Sequence, residues 1–78
     1  MDAYTLWEKI IERLKATVSE TFFDSFFSKL EPVTLRETEL ILFTKLPFIK
    51  EVIDNNHRQK LESLAQDIAG KSIKLTSQ

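Results

Sequence analysis

The chain carries one histidine, His57, and no cysteine, which removes thiol chemistry, disulfide frameworks and Cys-based zinc sites together. His57 has no second histidine with which to share a metal, and it falls on the apolar stripe of a helical segment, so a partly buried structural role outweighs ligation or base catalysis. The single glycine cannot build a GxGxxG or P-loop phosphate cradle, and neither HExxH nor GxSxG occurs. Glu8 with Glu12 and Glu37 with Glu39 have the residue types of acid/base chemistry, yet neither pair is set in an apolar pocket that would drive two pKa values apart. The chain is not expected to be an enzyme, and neither a cofactor nor a metal is expected in it.

What remains is a set of cations beside an aromatic. Lys45, Lys50, Arg58 and Lys60 surround Phe48 in sequence, a combination able to neutralise phosphates and stack on a base. The same stretch interleaves Glu51, Asp54 and Glu62, as a solvated charged face does, and the formal net charge is −1, which argues against a dedicated polyanion binder. The GXXG clamp of KH domains is absent.

Positioning these residues falls to a small set of elements. At 78 residues the chain is one small domain that must be stabilised by its apolar core. Leu6, Trp7, Ile10, Ile11 and Leu14 recur at helical spacing behind a Thr5–Glu8 capping box, and Phe22, Phe23, Phe26, Phe27 and Leu30 repeat that spacing behind Ser19, with Pro32 stopping the helix. From Val33 to Thr44 the period changes to that of a hairpin. Val33 and Leu35 alternate with polar neighbours, the turn lies within Arg36 to Glu39, and Leu40 to Phe43 form the better buried strand. Pro47 suits the first position of a long third helix, Gly70 its C-terminal cap, and Ser72 to Thr76 a last strand. The order α-α-β-β-α-β, with a three-stranded sheet packed against helices, is an α+β architecture. No apolar run exceeds four residues, and the N-terminus has no signal-peptide form, so a cytoplasmic protein is expected.

The aromatics divide by their angle on each helix. At roughly 100° per residue, Phe23 and Phe26 fall mid-arc in the second helix, with Phe22 and Phe27 at its margins. Phe48 projects about 100° from Ile49, which makes it the leading surface aromatic, with a staple folded onto the hairpin as its structural alternative. Trp7 lies within the stripe of the first helix, as a core residue does, although a lone tryptophan near a terminus also serves as an interface anchor.

In this order, LWEKIIERLK, FFSKL, TELILFTKLPFIKEVIDN and GKSIKL make nearly the whole chain resemble the N-terminal domain (domain I) family of the bacterial chromosomal replication initiator DnaA. That resemblance implies a KH-like fold and an excised interaction domain of a longer initiator, spanning 1–78. It implies recruitment of the replicative helicase, binding of initiation regulators, weak self-association and weak contact with single-stranded DNA. By position, Phe48 matches the family's helicase-contacting aromatic. Phe22 stands where some relatives carry a partner-binding glutamate, with Glu20 and Asp24 close by, while Trp7, with Leu6, matches the self-association site. For the single-stranded DNA contact the candidates are Lys45 and Lys50 of the cation set read above, with no family position behind them. The sequence departs from the family at Phe26, usually tryptophan, at Lys29, usually proline, and at His57, often tyrosine.

Overall fold

A computed structural model describes residues 1–78. The first helix, α1 (Ala3–Lys15), begins earlier than the Thr5–Glu8 pair suggests. Asp2 is the N-cap, its carboxylate accepting the Thr5 N–H at 2.8 Å, so Thr5 is already inside the first turn and the expected capping box does not form. The buried stripe is Ala3, Leu6, Trp7, Ile10 and Leu14, while Ile11, expected in the same stripe, is only half-buried. Ser19 does cap α2 (Glu20–Ser25), accepting the Phe22 N–H at 3.1 Å.

α2 ends sooner than its apolar pattern. Phe26 leaves the helix at φ −124°, ψ −66°, and a 3-10 turn, Phe27–Lys29, follows. This break overturns two placements made by extending the helical angle to Leu30. Phe27, expected at the margin, is 1% exposed and central to the core, whereas Phe26, expected mid-arc, is only half-buried.

The sheet contains β1 (Glu31–Arg36), β2 (Glu39–Phe43) and β3 (Lys74–Ser77) in the order β1-β2-β3. β1 and β2 are antiparallel across a turn at Glu37 and Thr38, while β3 lies parallel to β2. The last strand is therefore shifted toward the C-terminus from the expected 72–76. A register shift between Pro32 and Thr34 leaves Val33 as an extra, outward residue, 53% exposed, so the expected alternation of Val33 with Leu35 fails at a bulge. Pro32 costs no ladder bond here because β1 is an edge strand. β2, the central strand, is the better buried of the hairpin.

The third helical segment has three parts: α3 (Pro47–Val52), a π-helical turn (Ile53–His57) and α4 (Arg58–Ala69). Pro47 does occupy the first turn of α3, and Gly70 adopts the left-handed conformation, φ 74°, as the cap after Ala69. The π turn answers a mismatch in the sequence. Ile49, Ile53, Leu61 and Ala65 are all buried and His57 half-buried, at a constant spacing of four residues. In an unbroken α-helix that spacing drifts by about 40° per step, enough to carry Ala65 off the core face. The wider π turn absorbs the drift and keeps one stripe on the sheet.

Helices and sheet share one apolar cluster, to which α1, the Phe23–Leu30 region, Leu40 and Leu42 of β2, the third helical segment and Ile73 with Leu75 all contribute. Polar ties hold β3 in place. Asp54 of the π turn accepts from Ser77 Oγ at 2.7 Å, and Glu62 of α4 accepts the Leu75 N–H at 2.9 Å. The architecture is α+β, with three helical segments and a mixed three-stranded sheet in the order α-α-β-β-α-β. No helix is long and apolar enough to cross a membrane.

Candidate interaction site

Pro47 fixes the start of α3 so that consecutive side chains diverge: Ile49 is fully buried, whereas Phe48 is 56% exposed. Phe48 is not folded away as a staple. Its ring meets only the edge of a half-buried neighbour, Phe26, at 6.2 Å between centroids, and Phe26 in turn stacks on Phe22 at 4.7 Å. Phe22 and Phe48, from different elements, thus belong to one aromatic row with Phe26 as its middle member. Leu46, 41% exposed, and Phe43, 37% exposed, lie on the chain segment leading to Phe48.

The row rests on a rigid base. Phe22 and Phe27 both set ring edges against His57, at 5.5 and 5.4 Å, and Phe22 lies 5.8 Å from Phe27. Burial among these rings holds the His57 imidazole below its ordinary value of 6.5, and the nearby Lys60 charge pushes in the same direction. His57 is therefore a packing residue of the site, neutral when folded at neutral pH. No group of three or more His, Cys, Asp or Glu side chains is placed to hold a metal ion.

The charges near Phe48 are unequal in availability. Lys50 is engaged by Asp54 at 2.8 Å, and Arg58 reaches the other oxygen of the same carboxylate at 3.3 Å. Burial alone would raise the Asp54 carboxyl, but hydrogen bonds from Lys50 and Ser77, with the charges of Lys50 and Arg58, outweigh it and hold the group below 3.8. Lys60 points elsewhere, 3.5 Å from Thr17 Oγ1. Lys45 alone of the four cations is exposed with no ion pair or hydrogen bond.

The other sequence candidates are not all brought together. Glu20 and Asp24 are exposed on α2, but they line a separate hollow with Lys15, Val18 and Phe23, where the Lys15 ammonium sits 5.0 Å from the Phe23 ring centre. Leu6 is fully buried and Trp7 is 2% exposed, so both are core in this domain, and neither offers a contact surface; the exposed aromatic at that end of α1 is Tyr4. Phe26, Phe43, Leu46 and Lys29 were not among the sequence candidates. Leu46 did carry a signal, since it precedes Pro47 and lies outside the apolar arc of α3. Phe43 was hidden by its place in the continuous run LILF. Against this geometry, a family model described as the DnaA N-terminal domain matches residues 4–67, a stretch that includes every residue of the aromatic row.

Proposed function

The chain belongs to the DnaA N-terminal domain family, which ties it to the initiation of DNA replication, and on that premise we propose that it is a docking module that recruits the replicative helicase and binds initiation regulators through the Phe22–Phe26–Phe48 surface. One observation carries the reading: a large aromatic more than half exposed, continuous with two further phenylalanines. A domain this small has few apolar groups to spare, and a rigid exposed aromatic patch is the kind of surface that provides an interface centre. Glu20 and Asp24 would act as a separate, polar contact on the outer side of α2. Any self-association from the α1 end has to use Tyr4 and its neighbours, or else open the core around Leu6 and Trp7.

A second reading, weak binding of single-stranded DNA, draws on the unpaired Lys45, three residues before Phe48 in the chain. Pairing of Lys50 with Asp54 weakens it, because a backbone-tracking groove needs several free cations. An NMR titration of the labelled domain separates the two. Shifts centred on Phe48, Phe26 and Phe22 with the helicase from the same organism, little changed by salt, support docking. Shifts centred on Lys45 with a short oligonucleotide alone, lost steeply as salt rises, would replace it with the nucleic-acid reading.

A further inference from the structure

A groove of about 330 Å³ lies between the 3-10 turn and the loop from β2 to α3. Its lining includes Phe43 and Leu46 as the apolar part and Lys29, Lys45 and Glu31 as the charged part. Phe26 immediately precedes the 3-10 turn and Phe48 follows the β2–α3 loop, so the segments that line the groove adjoin in the chain the two residues of the Phe26–Phe48 pair. We propose that this groove receives an acidic polypeptide segment carrying one large apolar side chain, with that side chain against Phe43 and Leu46 and its flanking carboxylates on Lys29 and Lys45. The inference rests on the docking reading above and deepens it by naming the partner's chemistry.

Charge complementarity is the first support. In a chain with a formal net charge of −1 the groove carries two cations against one anion, and neither Lys29 nor Lys45 is engaged in an ion pair. Preorganisation is the second. The Thr44 N–H donates to the Gln78 carbonyl at 3.2 Å, the Thr44 hydroxyl accepts the Leu46 N–H at 3.2 Å, and the Leu46 carbonyl accepts from Ile49 at 2.9 Å. Lys45 is thereby held between two anchored residues, so little backbone ordering is left for a ligand to impose. The groove suits a short peptide better than a nucleic-acid strand: it offers only two free cations, and Lys50, the next cation along, is occupied by Asp54, so no track of cations continues for a run of phosphates.

The test uses the labelled domain with three probes: acetyl-Asp-Glu-Leu-Phe-Asp-Glu-amide, its charge-reversed partner acetyl-Lys-Arg-Leu-Phe-Lys-Arg-amide, and a short oligothymidylate. The acidic peptide is expected to move the amides of Ser28, Lys29, Thr44, Lys45 and Leu46, and the basic peptide to leave them in place. Joint substitution Lys29→Glu and Lys45→Glu, at two exposed positions, should weaken the acidic peptide about tenfold or more and reverse the preference without changing the melting temperature. Silence of the acidic peptide at these amides overturns the proposal, as does a lysine-dependent response to oligothymidylate alone. A parallel helicase titration keeps the two readings apart. Helicase binding lost with Phe48→Ala but indifferent to the lysine pair, with the acidic peptide silent, removes the groove and leaves docking intact. Acidic-peptide binding with no helicase response supports the groove and removes the helicase.

Discussion

Phe48 and Ile49 are adjacent in the chain and opposite in fate, one more than half exposed and the other fully buried. Their substitutions should separate accordingly. Phe48→Ala is expected to cost about 1–3 kcal/mol of partner affinity with an almost unchanged melting temperature, whereas Ile49→Ala should lose about 2–5 kcal/mol of fold stability; calorimetric titration paired with thermal denaturation reads both. His57 gives the second residue-scale expectation. Its folded value lies below 6.5 because burial disfavours the imidazolium, so the unfolded chain takes up the proton first as pH falls. The stability contributed by neutral His57 is complete above 6.5 and is lost as pH falls through the folded value. Asp54, depressed below 3.8, contributes in the same sense only in a more acidic window. Denaturant midpoints measured from neutral pH downward should fall first in the histidine window, and His57→Tyr should flatten that part of the profile. Phe48 was legible in the sequence because its exposure depends on one local angle from a proline-fixed start.

Among the elements, the early end of α2 matters most. Phe27→Ala should cost about 3–5 kcal/mol, while Phe26→Ala should cost clearly less stability and also loosen partner binding through Phe48; chemical denaturation and the helicase titration distinguish them. Helical spacing alone assigns these two residues the other way round. It located the second helix and its Ser19 cap, but the transition to a 3-10 turn after Ser25 is set by how Phe27 fits under Phe22 and against His57, a contact with a residue thirty positions away in the chain. The third helical segment teaches a related lesson. Its ends were readable from Pro47 and Gly70, and the drift of its apolar stripe was visible, yet only the packed structure shows a π turn taking up the drift. Val33 departs from its expected alternation for a comparable reason, since a bulge beside Pro32 has no periodic signature.

For the molecule as a whole, the open question of any small sheet is its edges. β1 is blunted by Pro32 and the bulge at Val33, and β3 has the Leu75 N–H occupied by the Glu62 carboxylate. Glu62→Ala should therefore do two things: cost about 1–3 kcal/mol for an unpaired, partly buried N–H, and raise self-association, seen as concentration-dependent sedimentation, while Glu62→Gln keeps an acceptor and stays close to the parent. The order of elements and the α+β class could be read in advance because each element has its own period. The closed edge and the aromatic row could not, because they join residues far apart in sequence. Gln78 illustrates what such closure brings together: its N–H donates to the Leu42 carbonyl and its carbonyl accepts from Thr44, so the end of β3 lies beside a residue lining the groove. A segment joined at Gln78 would begin beside Thr44, and an acidic one would meet the groove at an effective concentration on the order of millimolar. A free partner would then compete with a tethered one, and the composition of the tether would set the threshold at which the partner wins.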